Sequence, residues 1–346
     1  MQFPSWKPHD LDKDFPQFAQ PVIVGEFSVN GLRDICPDRS QLQVYKPVPH
    51  NTQRIRFDLN AGLNDRTQRI QQFEGLDNML KWILLQRKES RETKQEINSN
   101  FICYRGVLRL IMNTPYEQRE GWIIKVVRFK GTVYMMQIDT EEQKEKKKWT
   151  TEKEKTFCAW GYKFEQYMSV QEKSAVVNEN EEFCCMFRSK IGKYSFLFGA
   201  EMDGYKAQDK QSIGKLVPNR FVEFKTSRRV ENERQDRTLR KFKMIKWWAQ
   251  CFLVGIEEVV VGWRDDAGIV EQVETLPVSS LPKRGMEWRA NVCANFLLEF
   301  ITFIQQNLLR DSSDQVYNVS WDPRSGFKVQ QDSEQFFPPW FLAEFK

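Results

Sequence analysis

The sequence is poor in histidine, the side chain that most often moves protons in enzymes near neutral pH. Only His9 and His50 occur among 346 residues, and both lie within the first 50. No motif flanks either of them. This scarcity argues against a Ser-His-Asp or Cys-His mechanism and against a histidine-rich metal site. An enzyme with this sequence would therefore depend on carboxylates and lysine.

Long apolar runs are also missing. A membrane-spanning helix needs roughly 18 or more consecutive apolar residues, and runs such as 252–256 are far shorter. The first 14 residues show no basic stretch followed by an apolar one, so no secretory signal is predicted. We expect an intracellular protein that does not enter a membrane.

The cysteine pattern offers neither a disulfide framework nor a zinc site. The seven cysteines are odd in number, scattered, and never spaced C-x-x-C. Most of them are expected to be small buried side chains.

The composition that remains is that of an ordinary globular protein. Apolar residues make up 40% and charged residues 29% of the chain, enough to build a core. The 52 basic and 47 acidic residues leave a net charge of +5, which permits a polyanionic partner without requiring one.

Residue patterns predict helices and strands interleaved along the whole chain. Helical periodicity indicates helices over 66–88, through 160–168, and over 237–254 and 287–309. Strand patterns occur at 122–129, 132–138, 194–202, 221–226, 259–263 and 269–274, with a last pair around 323–326. The first 60 residues suggest an extended arm with isolated strands, and the charged run 141–155 an exposed loop or helix face. Because no linker interrupts this order, we predict one α/β domain with a mixed sheet over residues 1–346.

Two predicted strands carry acidic residues at alternating positions. Glu201 and Asp203 lie two residues apart and would point to the same face of a strand. About 20 residues later, Glu223 and Lys225 share one face while apolar neighbours take the other. A lone pair of this kind is most often an exposed sheet edge. Three acids together repel one another unless cations lie between them.

This combination resembles metal-dependent nucleases of the restriction-endonuclease type. Glu165 on the preceding helix and Gln250 on the following helix are at positions that such nucleases use for a metal ligand and a substrate-orienting amide. Four carboxylates would balance two divalent cations, and hard oxygen ligands suit magnesium or manganese. Two such ions would activate water and stabilise the leaving oxygen without histidine, while Lys225 would orient the water or neutralise the phosphate.

Several longer motifs extend the resemblance to one family. The segments GYKFE at 161–165, AEMD at 200–203, VEFKTS at 222–227 and KWWAQ at 246–250 are similar to those of the decapping exoribonuclease family. YRG at 104–106, TPYEQREGW at 114–122 and, more weakly, FSVNGLR at 27–33 extend the similarity to nearly the whole chain.

The resemblance implies two twisted mixed sheets flanked by helices, with a deep pocket between them. It implies metal-dependent hydrolysis of single-stranded RNA 5′ ends, including unmethylated caps, NAD caps, 5′ triphosphates and 5′-to-3′ cleavage of monophosphate RNA. It also slightly favours the nucleus, and it implies a monomeric protein. Some fungal relatives stabilise a nuclear 5′-to-3′ exoribonuclease, so such an enzyme is a candidate partner.

The resemblance also implies roles for individual residues. The metal ligands would be Glu165, Glu201, Asp203, Glu223 and the backbone carbonyl of Phe224. Lys225 and Gln250 would contact the scissile phosphate and the water. The RNA 5′ end or its backbone would be contacted by Tyr104, Arg105 and Gly106 of the YRG motif and by Arg33, Glu74 and Cys184. For Arg33 and Glu74, a plain surface or helix role is equally compatible with the short local motifs.

Small departures from the family pattern leave every expected ligand in place. Tyr104 stands where relatives mostly have Trp, Ala200 where they mostly have Gly, and Phe224 where they mostly have Leu. The added methyl of Ala200 bears on substrate preference more than on activity.

Two other classes of function are compatible with the sequence. One is a noncatalytic RNA-end binder or partner subunit, which the retention of all four acids and Lys225 disfavours. The other is a DNA exonuclease with the same metal site, which the sheet motif does not distinguish from an RNA enzyme.

Overall fold

The computed structural model describes residues 3, 6–49, 54–71, 74–93, 99–170, 176–284, 287–308 and 310–345. Two mixed β-sheets with helices on their faces form the fold, in agreement with the sequence-based expectation. His50 and Leu309 lie outside the described residues.

The strands are numbered in chain order. They are β1 Phe18–Val29, β2 Ile35–Cys36, β3 Phe57–Asp58, β4 Phe101–Tyr104, β5 Trp122–Phe129, β6 Thr132–Ile138, β7 Glu182–Ile191, β8 Tyr194–Glu201, β9 Gly204–Tyr205, β10 Phe221–Arg228, β11 Glu258–Arg264, β12 Ile269–Pro277, β13 Val316–Asp322 and β14 Gly326–Asp332.

The helices follow the same convention. They are α1 Asp77–Thr93, α2 Arg105–Asn113, α3 Glu141–Lys148, α4 Glu152–Tyr167, α5 Glu233–Thr238, α6 Ile245–Val254, α7 Leu281–Arg284, α8 Ala290–Asn307 and α9 Pro339–Ala343. None of the helices in these ranges has the length and apolar character needed to cross a bilayer.

The larger sheet has nine strands in the order β14-β13-β5-β6-β4-β8-β7-β1-β2. Strand β4 runs parallel to β6 and to β8, and the other neighbours are antiparallel. The smaller sheet has the order β3-β12-β11-β10-β9, with β10 parallel to β11. The chain passes from the larger sheet to the smaller one directly after β8. Two of the four acids, Glu201 and Asp203, lie at this crossing.

Helix α4 packs against the smaller sheet at unusually close range. A Cβ atom on Gly262 of β11 would lie 2.5 Å from the ring of Phe164, which is fully buried. Only glycine permits this approach, because a methyl group would overlap the ring. Val222, Phe224 and Val260 complete this part of the core. The contact fixes the neighbouring Glu165 relative to the sheet.

The helix expected over 66–88 begins later, at Asp77. Residues 66–71 are held in an extended course instead, where the Ile70 N–H donates to Asn180 Oδ1 at 2.8 Å and the Thr67 N–H to the Val177 carbonyl at 2.9 Å. Gly75 has φ 52°, a left-handed conformation that ends the extended segment just before the helix. Residues 72 and 73 lie outside the described part. The apolar face of the helix is confirmed, with Met79, Leu80 and Ile83 buried.

Other expectations differ from the structure in extent. The N-terminal segment is not an arm with isolated strands, because β1 is a 12-residue strand paired with β7 inside the larger sheet. The hairpin at Lys130-Gly131 and the exposed helical character of the charged run, now α3 and the start of α4, are confirmed. The helix expected over 237–254 starts at Glu233 and contains a π-helical segment over Leu239–Met244. The cysteines are free, and five of the seven are buried.

Candidate active site

The four acidic residues of the motif converge from four structural settings. Glu165 lies in the last turn region of α4, Glu201 is the final residue of β8, Asp203 follows in the crossing segment, and Glu223 lies on β10. Both sheets, the segment that connects them and helix α4 therefore contribute to one site.

Asp203 reaches the site by a route that strand alternation does not describe. Strand β8 ends at Glu201, so Asp203 is not part of a continuous strand with it. Its Oδ2 atom accepts a hydrogen bond of 2.7 Å from the backbone N–H of Phe224 on β10. The crossing segment, tied to the second sheet, brings the two carboxylates together.

Glu223 is the most buried acid of the site, with 1% of its surface exposed. Its Oε1 accepts hydrogen bonds of 2.5 Å from Lys225 Nζ and from Gln250 Nε2, and its Oε2 accepts one of 3.3 Å from Arg105. The predicted shared face of Glu223 and Lys225 is confirmed, as Val222 and Phe224 point into the core. The expected closeness of Gln250 to this pair is confirmed as well.

The other three carboxyl groups resist ionisation. Desolvation, with the charges of Glu182 and Asp203, raises the pKa of Glu201 to about 8, although its side chain borders the open pocket. Desolvation and Glu223 raise the pKa of Asp203 to about 7. Desolvation, then Asp203 and Glu201, raises the pKa of Glu165 well above its ordinary value. Three acids that disfavour one another's charge form a site that a cation would stabilise.

Glu223 and Lys225 show the opposite behaviour. Desolvation opposes the charge of Glu223, but Lys225 and Arg105 outweigh it and lower the pKa of the carboxyl group. Desolvation likewise opposes the charge of Lys225, and Glu223 and Asp203 outweigh it and raise the pKa of the amine. This pair is ionised at neutral pH.

The donor set fits a hard divalent cation. Carboxylate oxygens are the ligands that Mg²⁺ and Mn²⁺ prefer. In the described ranges, no three or more acidic, cysteine or histidine side chains are already gathered in a metal-binding arrangement. Glu223 holds Lys225, Gln250 and Arg105 instead. A cation held by Glu223 would share its carboxylate with these donors, since Oε2 accepts only the hydrogen bond of 3.3 Å from Arg105.

The pocket around the acids has two lobes that share Glu182 and Glu201. The carboxylate lobe has a volume of about 310 Å³ and is lined by Glu165, Asp203 and Tyr162 among others. The arginine lobe has a volume of about 390 Å³ and is lined by Arg33, Arg69, Glu74, Tyr104, Arg105, Gly106, Arg109, Cys184, Ala200 and Gln250 among others. The sequence-predicted substrate residues other than Lys225 thus line the second lobe.

Arg33 is neither a surface residue nor part of a helix. Its side chain is 3% exposed. The guanidinium donates two hydrogen bonds of 2.6 Å to the carboxylate of Glu74 and forms a second ion pair, with Glu182, at 3.1 Å. Its backbone has φ 67°, a costly conformation for a residue other than glycine. Glu74 precedes α1 instead of lying on it. The local strain is consistent with a guanidinium held at a fixed place in the pocket wall.

Arg105 connects the two lobes. Its guanidinium donates to the Glu201 carbonyl at 3.0 Å as well as to Glu223. Arg109 lies one helical turn further along α2 and lines the same lobe, where desolvation and Arg105 lower its pKa. Among the residues that the structure describes, Arg109 has no acidic hydrogen-bond or ion-pair partner.

Sequence reasoning did not find Arg69, Arg109, Glu182 or Tyr162. Arg69 pairs with Glu182, and both line the pocket. Tyr162 lies within the quoted segment GYKFE at 161–165, whereas Arg69, Arg109 and Glu182 lie in none of the quoted motifs. The signal that existed for Arg109 was its spacing of four residues from Arg105, which places both on one face of a helix.

The remaining predicted residues lie on the wall of the arginine lobe. Cys184 is buried on β7, and burial raises the pKa of its thiol, so it offers no thiolate. A Cβ on Gly106 would meet no atom within 4 Å, so the packing of the protein itself does not require glycine at this position. Ala200 is 2% exposed and lines this lobe, where its methyl group takes up room.

Comparison with known proteins agrees with this site. Residues 19–342 match the family described as RAI1 like PD-(D/E)XK nuclease. The chain belongs to this family. The Asp and the (D/E)-x-K elements of that description are present as Asp203, Glu223 and Lys225.

Individual members of the RAI1-like family resemble the chain along most of its length. It is 33% identical to the human decapping and exoribonuclease protein over 345 residues, which covers 95% of this chain and 86% of the relative. A solved structure of Scheffersomyces stipitis Rai1 in complex with (3′-NADP)⁺ and calcium aligns with a TM-score of 0.83 at 21% identity, covering 99% of both chains. Candida albicans Rai1 in complex with pU5-Mn²⁺ aligns equally well, with a TM-score of 0.83, 21% identity, and coverage of 99% of this chain and 98% of the other. The protein is therefore a nuclease with the fold of this family.

Proposed function

We propose that this protein is a divalent-metal-dependent hydrolase of RNA 5′ ends. It would remove incomplete or unusual caps, such as unmethylated and NAD caps, or pyrophosphate from triphosphate RNA. It would also degrade monophosphate RNA from the 5′ end. The substrate would be a single-stranded 5′ terminus.

One observation carries the proposal: the carboxylate lobe and the arginine lobe adjoin at Glu201 and Glu182. A chain end with several phosphates fits such a pair of lobes, because arginine forks bind phosphate oxygens and carboxylates bind the cations that accompany them. A neutral substrate would leave Arg109 without a counter-charge.

The residues of the site would have separate roles in binding metal ions, water and phosphate. Glu165, Glu201, Asp203, Glu223 and the carbonyl of Phe224 would hold two Mg²⁺ or Mn²⁺ ions. Ions bound there would supply an activated water and stabilise the leaving oxygen. Lys225 and Gln250, which meet at Glu223 Oε1, would orient the water and the scissile phosphate. Arg105 would hold the phosphate of the terminal nucleotide.

The relatives support the choice of RNA and of these ends. Curated relatives bear the name decapping and exoribonuclease protein, and the Candida albicans structure holds a pU5 ligand with manganese. The Scheffersomyces stipitis structure holds a 3′-phosphorylated NAD. A monomeric state, a nuclear location, a nuclear 5′-to-3′ exoribonuclease as partner and a single domain over 1–346 stay predictions.

The deciding experiment is release of labelled product from matched RNAs with different 5′ ends. The panel contains triphosphate, monophosphate, unmethylated-cap, methylated-cap and NAD ends, each with Mn²⁺ or Mg²⁺, and a 5′-phosphate DNA of the same sequence. The wild type should act on several RNA ends, and Glu201→Ala/Asp203→Ala on none.

Two other results of this experiment would support the alternative functions, a noncatalytic 5′-end binder or a nuclease that also acts on DNA. A wild type that binds these RNAs but cleaves none with either metal would be a noncatalytic 5′-end binder. Equal cleavage of RNA and DNA would indicate a nuclease without preference for RNA.

A further inference from the structure

A further cavity lies beside the C-terminal half of α4, which contributes Lys163, Gln166 and Tyr167 to its lining. Its volume is about 590 Å³, and its lining includes four cationic side chains. We call it the basic groove and define it by Lys46, Arg54, Arg56 and Lys163. Neither the family description nor the names of the relatives assign it a role.

The groove is strongly cationic. No aspartate or glutamate is among its lining residues. Lys46, Arg54 and Arg56 are exposed, and none of them forms an ion pair with any residue that the structure describes. Lys163 is 7% exposed, and its Nζ donates to Gln166 Oε1 at 2.7 Å. Exposed cations gathered without acids attract a polyanion.

The groove also presents aromatic and apolar surface. The rings of Phe57 and Tyr167 stack with centroids 4.7 Å apart and planes inclined by 12°, and both line the cavity. Lys163 lies 5.2 Å from the centre of the Tyr167 ring. Cations beside stacked rings are the combination that single-stranded nucleic acids use, because the phosphates and the bases each find a partner.

The groove is continuous with the active site. Gln166 and Ser169 line both the groove and the carboxylate lobe. Ser169 Oγ donates to the carbonyl of Glu165 at 2.6 Å, and Gln166 is its chain neighbour. The carboxylate lobe and the basic groove therefore adjoin at Gln166 and Ser169, next to Glu165.

We propose that the basic groove binds the nucleotides of single-stranded RNA that follow the scissile bond. The arginine lobe, on the other side of Glu201, would hold the 5′-terminal phosphates. The chain would then pass the carboxylates and continue along Lys46, Arg54 and Arg56. The inference rests on the proposed function and extends it to the body of the substrate.

The test compares RNA length in wild type and Lys46→Gln/Arg54→Gln/Arg56→Gln. Binding of 5′-monophosphate RNAs of two and twelve nucleotides is followed by fluorescence anisotropy in EDTA, over a range of salt concentrations. The variant should bind the twelve-nucleotide RNA about tenfold more weakly, with a salt slope shallower by roughly 2, since each phosphate contact to a single strand contributes about 0.7. Binding of the dinucleotide should change less than twofold.

The control variant Lys193→Gln/Arg324→Gln/Lys328→Gln removes the same charge from exposed residues that do not line the groove. It should leave both affinities close to wild type. Equal binding of the long RNA by wild type and the groove variant would overturn the inference, as would an equal loss for both RNA lengths.

Hydrolysis of the same RNAs with Mn²⁺ separates the two proposals. If the wild type cleaves RNA but the groove variant binds RNAs of both lengths with the same loss of affinity, the proposed function stands and the inference about the groove is wrong. If the wild type cleaves no RNA but the groove variant loses affinity only for the long RNA, the groove is an RNA-binding surface and the proposed function is wrong.

Discussion

At the scale of single residues, the site is a balance between acids that repel one another and cations that reach only some of them. Glu223 is satisfied by Lys225, Gln250 and Arg105. Glu165, Glu201 and Asp203 are left with raised pKa values. Arg109, in the opposite lobe, is a cation without a direct acidic partner among the described residues, although the more distant charge of Glu223 favours its charged form. Both imbalances point to ligands of opposite charge.

Arg109→Gln should discriminate between substrates by their number of phosphates. We expect KM for triphosphate RNA to rise about tenfold or more, because one charge-assisted hydrogen bond contributes roughly 1.5–3 kcal/mol. KM for monophosphate RNA should change little. Steady-state kinetics on the two RNAs measures this, and Arg109→Lys should recover part of the loss. An equal effect on both substrates would show that Arg109 does not contact the additional phosphates.

Arg33→Met should lower the free energy of unfolding by roughly 1–3 kcal/mol, because it removes the charged hydrogen bonds to Glu74 and Glu182 and leaves Arg69 as the remaining cation beside these acids. Chemical denaturation measures the change. The exposed pair of Arg228 and Asp266 offers a control, as Arg228→Met should cost less than about 1 kcal/mol. Similar losses in the free energy of unfolding for the two variants would mean that the ion pairs of Arg33 contribute no more to stability than an exposed ion pair does.

At the scale of elements, the position of α4 decides where Glu165 lies. The helix approaches β11 closely because Gly262 leaves room for the ring of Phe164. Its C-terminal end also lies where the carboxylate lobe adjoins the basic groove, since Gln166 on the helix and Ser169 just after it line both cavities. A shift of this one helix would alter the metal ligands and the proposed path of the RNA together.

Gly262→Ala should displace α4 by overlap with the Phe164 ring. We expect a loss of roughly 1–3 kcal/mol in the free energy of unfolding, as in other overpacked cores. Affinity for Mn²⁺ should fall as well, because Glu165 is the residue next to Phe164. Calorimetry of Mn²⁺ binding and denaturation measure both effects. Gly214→Ala, where a Cβ meets no atom within 4 Å, is the matched control and should change neither.

At the scale of the whole molecule, two sheets share one active site. The larger sheet supplies Glu201 at the end of β8, and the smaller sheet supplies Glu223 on β10. The crossing segment with Asp203 connects them. A divalent cation bound to acids from both sheets would therefore stabilise the association of the two halves as well as the site.

Mn²⁺ should raise Tm more at pH 8 than at pH 6. Carboxyl groups with raised pKa values keep their protons at pH 6, so the metal-free protein escapes their repulsion there. Asp203 and Glu201, with pKa values of about 7 and about 8, ionise as the pH rises, and the metal-free protein loses stability over that window. The ionised groups bind the metal better, so its stabilising effect grows.

Thermal unfolding with Mn²⁺ or with EDTA at the two pH values measures this difference. Glu201→Gln/Asp203→Asn should remove most of it, because the amides carry no charge at either pH. A wild-type Mn²⁺ effect that is equal at pH 6 and pH 8 would contradict the assignment of these acids as ligands.

The sequence by itself determined which side chains are available for chemistry at the site. Scarce histidine argued against histidine mechanisms, and the spacing of Glu201, Asp203, Glu223 and Lys225 predicted a carboxylate-lysine metal site. Alternation along β10 correctly placed Glu223 with Lys225, because strand periodicity is a local property of the backbone. It gave the wrong reason for Asp203, which lies beyond the end of its strand.

Only the tertiary structure decided what surrounds that chemistry. Arg33 and Glu182 are 149 residues apart in the chain and meet because β1 pairs with β7. The late start of α1 and the basic groove beside α4 likewise depend on contacts between distant segments. Local periodicity carries no information about such contacts, since packing of the two sheets and their helices determines which remote side chains meet.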